Sequence, residues 1–117
     1  MKRIHFLLLG LFFLAQPLYA QSAAIQTALD HFATNHLSYD LSETDVADLA
    51  VTDAYTSRRS GTTHVYLRQR FEGIEVAGAN YTVNVNSGGS IFHKAGSFES
   101  DLIARVEAAT SDISAIT

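Results

Sequence analysis

Five histidines, twelve acidic residues and a scatter of hydroxyls are the groups in this 117-residue chain that could do chemistry. His31 and His36 are five residues apart. On a helix that spacing puts them roughly 140° away from a shared face. A zinc-peptidase helix needs His-Glu-x-x-His, with both imidazoles one turn apart and a glutamate between them. Here Phe32 follows His31, and the motif occurs nowhere else. Solvated helix histidines are the favoured reading. His64 and His93 fall in separate extended segments and could meet, but two ligands without a third make a weak metal site. Glu43, Asp45 and Asp48 form a local acidic run with helix-start character. A calcium loop would want alternating oxygen ligands and a glycine, both missing here. A charged, solvated face is expected instead. Gly88-Gly89 joins strand to strand with no Lys-Ser/Thr after it, so it is no phosphate loop. Serine, histidine and aspartate all occur, but no nucleophile elbow does. Cysteine is absent, which excludes thiol catalysis and cysteine-based metal sites. No catalytic, cofactor or metal residue is assigned to this chain.

The elements that would hold such groups follow from hydropathy. Lys2 and Arg3 precede an apolar run from Ile4 to Ala15, interrupted by His5 and Gly10. Pro17 ends it, and Leu18-Tyr19-Ala20 precedes Gln21. This reads as a secretory signal peptide over residues 1–20, cleaved after Ala20. A membrane span would need roughly 20 apolar residues. The alternative is an uncleaved anchor. Without residues 1–20 the formal charge moves from −4 to −6, and no basic patch survives for nucleic acid. An exported domain without disulfides must rely on its core or on a partner.

Residues 21–110 are expected to form one α+β domain. Ile25, Ala28, Leu29 and Phe32 recur at helical spacing over Gln21 to His36, with Ala33 and Leu37 nearby and Ser22 as a plausible N-cap. Ser42 to Asp45 is a loop or one helical turn. Leu49 to Tyr55 reads as a first strand with Leu49, Val51 and Tyr55 on one face, and Arg58 to Gly61 as its turn. Thr62 to Phe71 is the second strand. It alternates cleanly, with Val65, Leu67, Gln69 and Phe71 on one face and His64, Tyr66, Arg68 and Arg70 on the other. Glu72-Gly73 turns the chain into a third strand from Ile74 to about Asn86. Its phase changes, since Ile74 and Val76 are apolar at even positions but Ala79, Tyr81, Val83 and Val85 at odd ones. A β-bulge near Ala77-Gly78 explains that. Ser87-Gly88-Gly89 makes the next turn and Ser90 to Phe98 the fourth strand. Glu99 to Thr117 fits helix or extended chain. Residues 111–117 resemble the start of a following element, with Ser114 a possible N-cap, so the chain is expected to be the front of a longer precursor. Together these segments give an amino-terminal helix packed on a four-stranded antiparallel meander. Gln69 stands out as polar on an apolar face, which is costly unless it is hydrogen-bonded or lies at the sheet margin.

With those residues in view, the segment Gly61 to Val76 resembles the fungalysin/thermolysin propeptide domain found at the front of secreted zinc metallopeptidase precursors. The family tends to show His-x-Tyr/Arg-x-x-Gln, an aromatic, Asn-Gly, Ile and Pro-Val. His64, Tyr66, Gln69, Phe71, Gly73, Ile74 and Val76 fit, with Arg68 inside the motif. Glu72 replaces the usual Asn, and Glu75 the usual Pro. The resemblance covers roughly Leu37 to Val106 and is closest to the fungalysin branch. It implies an exported propeptide, extracellular or periplasmic, that acts as intramolecular chaperone and inhibitor. It also implies a cognate metallopeptidase catalytic domain as partner, in cis, with zinc held only by that domain. A free-standing exported inhibitor or ligand-binding module of the same fold is the alternative, and a small exported enzyme a third.

Overall fold

The computed structural model describes residues 2–116, with side chains described over 19–112. Helix α1 (Lys2–Asn35) leads through 3-10 turns at His36–Tyr39 and Thr44–Val46 into strands β1 (Ala50–Thr56), β2 (Thr63–Phe71), β3 (Ile74–Val85) and β4 (Ile91–Ser97). Helix α2 (Leu102–Ile116) follows. The sheet order is β1-β2-β3-β4, antiparallel throughout. The short connections dictate this, because tight turns make antiparallel neighbours. The α+β meander is therefore as expected. The signal-peptide reading rests on side chains that, up to Leu18, lie outside the described residues. Among the described residues no helix is long and apolar enough to cross a membrane.

The helical stripe of α1 meets the sheet as its spacing requires. Ala24, Ala28 and Phe32 are buried against Val65, Leu67, Val83 and Val85, flanked by Ile25, Leu29, Tyr39, Tyr81 and Phe98. The Phe32 ring lies 4.9 Å from Tyr81, 5.0 Å from Phe98 and 5.2 Å from Tyr39 between centroids. Full burial of such a ring contributes about 2–3 kcal/mol, and the edge and tilted contacts add to it. Ser22 lies inside α1, which here includes residues 2–20 ahead of it. One expectation for this helix fails. Leu37 is 76% exposed, because the chain leaves the α-helix at Asn35 and the next turn points it away from the stripe.

Bulges set the phase of the sheet. Val51 faces Leu67 and Ala54 faces Val65, with an extra residue between Val51 and Asp53. That flips the second half of β1. Ala54 takes the core side, and Tyr55 crosses to the outer face opposite His64, away from the side expected for it. In β3 the expected irregularity is present. Arg68 pairs with Asn80 and Arg70 with Glu75, so Val76 to Ala79 oppose Gln69 alone. An odd number of extra residues reverses side-chain phase, which accounts for the switch from even to odd apolar positions. Gly96 of β4 lies against β3. A Cβ there would meet Tyr81 Cα at 2.8 Å and the Asn80 carbonyl carbon at 2.9 Å.

The segment after β4 resolves to helix. Leu102 is buried, and α2 runs on to Ile116, so Ser114 lies within a helix and opens none. Thr117 lies outside the described residues. The signal that starts α2 is not in its own sequence. It comes from Asp45, 57 residues upstream of Leu102.

Candidate partner-binding frame

The motif residues divide between two jobs. Gln69 is fully buried between Leu67 and the β3 bulge. Its Nε2 donates to the carbonyls of Asp45 (2.9 Å) and Glu99 (2.8 Å), and its Oε1 accepts from the Glu99 N–H at 2.8 Å. Gln69 has no paired residue across the β3 bulge, and its side chain satisfies backbone groups of Asp45 and Glu99 that lie beside it. Gln69 is therefore a satisfied core group and not a marginal, solvated one.

Asp45 is the second post of the frame, and the expectation of a solvated acidic face is wrong for it. Only 1% of it is exposed. Its Oδ2 accepts from the Ser42 N–H (2.9 Å) and the Asp101 N–H (3.0 Å), and its Oδ1 from the Leu102 N–H (2.9 Å). The Asp45 N–H donates back to Ser42 Oγ at 3.1 Å, a reciprocal capping box within Ser42 to Asp45. The carboxylate thus caps one short turn and, across the fold, the first turn of α2, where the helix dipole also favours it. Burial pushes its pKa up. The Ser42, Leu102 and Asp101 N–H groups and the Ser42 hydroxyl outweigh that and hold it below the ordinary 3.8.

Asp48 locks the hairpin turn. Its Oδ1 accepts from Arg70 Nη2 at 2.8 Å and its Oδ2 from the Gly73 N–H at 3.0 Å. Glu72 (φ 49°) and Gly73 (φ 79°) are both left-handed, the signature of a two-residue type I′ turn. Glutamate holds this conformation at a cost, and the Asp48 tether offsets it. The remaining motif positions fall where the bulge sends them. Phe71 and Val76 are half-buried, while Ile74 is 74% exposed at the hairpin tip.

The outer face of the sheet carries the rest. Tyr55 stacks on His64 at 4.7 Å and faces Tyr66 at 6.3 Å. His64 Nδ1 is 2.8 Å from Asn84 Oδ1. Asn84 separates it from His93, which pairs with Asn84 in register from β4. The hydrogen bond with Tyr55, then partial desolvation and the charges of Tyr55 and Asp53, raise the Tyr66 pKa. Arg68 donates to Asn80 Oδ1 (2.9 Å) and pairs with Glu75 (2.8 Å). The face is aromatic and polar, with Arg68 matched by Glu75.

His31 and His36 are hydrogen-bonded within the fold. His31 Nε2 lies 2.7 Å from the Tyr39 hydroxyl, and burial, with Lys94 nearby, lowers its pKa. His36 sits beyond α1 with Nδ1 2.8 Å from the Leu41 carbonyl. Neither is the freely solvated helix histidine that spacing suggested. Among the described residues no group of three His, Cys, Asp or Glu could hold a metal ion. Every buried side-chain nitrogen or oxygen among the described residues has a partner. Sequence reasoning named Asp45 and Asp48 but gave them to a solvated face instead of to these contacts. The Ser42-x-x-Asp45 spacing is the one local signal that could have marked the first.

Comparison with known proteins bears on the sheet. Residues 47–98 match the family model described as the Fungalysin/Thermolysin Propeptide Motif, spanning β1 to the end of β4. No curated protein and no solved structure matches the chain.

Proposed function

We propose that this chain, whose residues 47–98 carry the fungalysin/thermolysin propeptide motif, acts by binding a protease catalytic domain. In this reading it is the propeptide part of an exported thermolysin- or fungalysin-like zinc metalloendopeptidase. It templates the catalytic domain during folding and holds it inactive until it is cut away. Zinc belongs to the catalytic domain, and the chain itself contributes surface.

One observation carries the reading. The buried motif residue, Gln69, is spent on rigidity: it cross-braces β2, the 3-10 turn and the segment leading to α2, while Asp45 and Asp48 hold the neighbouring segments to it. A binder that stabilises a folded partner gains most when its own surface is ordered beforehand, because less entropy is lost on docking. The stacked Tyr55, His64 and Tyr66, with Arg68 below them, present such a surface.

Refolding tests this. A thermolysin-type catalytic domain is unfolded in denaturant and diluted with or without the purified chain. The expected result is a higher yield of active enzyme after the chain is removed. A yield unchanged at micromolar chain overturns the chaperone role.

A further inference from the structure

The frame leaves an apolar surface uncovered where α2 meets the β2–β3 hairpin. The first turns of α2 cross the tip of the β2–β3 hairpin and leave a hollow on each side. One, about 510 Å³, lies among Ala47, Phe71, Ile103 and Val106, with Glu72 and Glu107 at its rim. The other, about 420 Å³, lies among Ile74, Val76, Leu102 and Val106. Phe71, Glu72 and Val106 line both, so the two form one surface. Ile74, Ile103 (45%) and Val106 (42%) expose large apolar area together there. Scattered apolar residues need no explanation, whereas a contiguous patch with hollows does.

The rim charge indicates what covers it. Asp48, Glu72, Glu75, Glu99 and Glu107 surround the hollows against Arg70 and Arg105. The two arginines are already paired, Arg70 with Asp48 and Arg105 with Glu99, and Glu75 holds Arg68. What faces outward is a negative rim around an apolar floor. We infer that this surface docks a basic amphipathic helix of a protein partner, with apolar side chains one turn apart in the two hollows and lysine or arginine against Glu72 and Glu107. Helix-in-groove recognition uses this arrangement, and rim charges of opposite sign steer and register it. The inference rests on the reading that the chain works by binding protein, and adds a second contact surface whose partner chemistry differs from that of the aromatic face.

The test uses the whole chain and two synthetic helices, one of leucine and lysine and one of leucine and glutamate. Calorimetry and amide chemical shifts read the binding. The leucine-lysine helix is expected to bind with shifts centred on Ile74, Ile103 and Val106, more weakly as salt is raised. E72K/E107K and V106D are each expected to weaken it at least about tenfold, whereas D30K, on exposed α1 surface, changes it less than about twofold. These positions are exposed, so circular dichroism of each variant should match the parent. Equal binding of both helices, no binding, or equal losses in D30K and E72K/E107K overturns the proposal. Self-association that protects Ile103 and Val106 also overturns it in favour of a second copy. Inhibition of a thermolysin-like protease is measured on the same variants. If inhibition survives V106D and E72K/E107K while helix binding is absent in the parent, the groove proposal fails and the propeptide reading stands. If helix binding behaves as expected but the parent never inhibits, the propeptide reading fails alone.

Discussion

Replacing Gln69 with leucine tests the brace at its centre. The side chain is fully buried and makes three hydrogen bonds, so Gln69→Leu keeps the volume and removes all three at once. It strands the Asp45 carbonyl in the interior and the Glu99 N–H and carbonyl in a half-buried position. A buried backbone group without a partner costs about 1–3 kcal/mol, and partial exposure lets water recover part of this at Glu99. The greater apolarity of leucine returns a fraction. A net loss of about 2–4 kcal/mol follows. Against a total of about 5–15 kcal/mol for a domain of this size, that is a large share. Urea unfolding followed by circular dichroism reads it as a lower midpoint, and thermal unfolding as a fall of about 8 °C or more. Gln69→Glu sharpens the test. Its carboxylate would face two carbonyl oxygens, so it should be worse than leucine at neutral pH and improve on acidification, as a protonated carboxyl regains one donor. A leucine variant within about 0.5 kcal/mol of the parent would refute the reasoning, since surface positions show changes of that size.

Asp45→Asn should destabilise by about 1–3 kcal/mol, because the amide keeps one acceptor oxygen where three N–H groups now converge; chemical denaturation measures it. The pH profile has a defined sign. Because the folded Asp45 carboxyl lies below its ordinary 3.8, its contribution is complete above about pH 4 and is lost as pH falls through the folded value. His31 is also lowered, from 6.5, so its neutral form supports the fold above that value and protonation begins to erode stability below it. Stability measured from pH 7 to pH 3 should therefore only fall, with the acid limb shallower in Asp45→Asn; a rise on acidification contradicts both assignments. Gly96→Ala should cost about 2–3 kcal/mol by urea midpoint, since the methyl meets β3 backbone and φ is 136°. Glu72→Asn should stabilise by about 0.5–1 kcal/mol, because asparagine accepts the left-handed turn position more readily; a neutral or lower thermal midpoint counts against the type I′ assignment.

What was legible in the sequence was whatever repeats locally. The Ile25–Phe32 stripe and the alternation of β2 each need only a few residues to declare themselves, and the phase slip of β3 announced its own bulge. What stayed hidden was set by single residues acting over distance. The extra residue in β1 turns Tyr55 outward, yet leaves a pattern that still reads as one alternating strand. Asp45 looked like one member of an acidic run because its partners, Asp101 and Leu102, lie at the other end of the domain. Helix α2 was ambiguous for the same reason, as its cap is donated from outside its own segment. Gln69 was visible as an anomaly, and only the tertiary structure supplies the Glu99 backbone that satisfies it.

The central claim is that this chain binds and restrains a thermolysin- or fungalysin-like zinc endopeptidase. The most direct measurement is steady-state cleavage of a peptide substrate by such an enzyme while the purified chain is titrated in. The account predicts saturable inhibition at micromolar chain or below, with the chain recovered intact while inhibition lasts and Gln69→Leu weaker than the parent. Undiminished turnover across that range, or chain degraded as an ordinary substrate without slowing the enzyme, would contradict it.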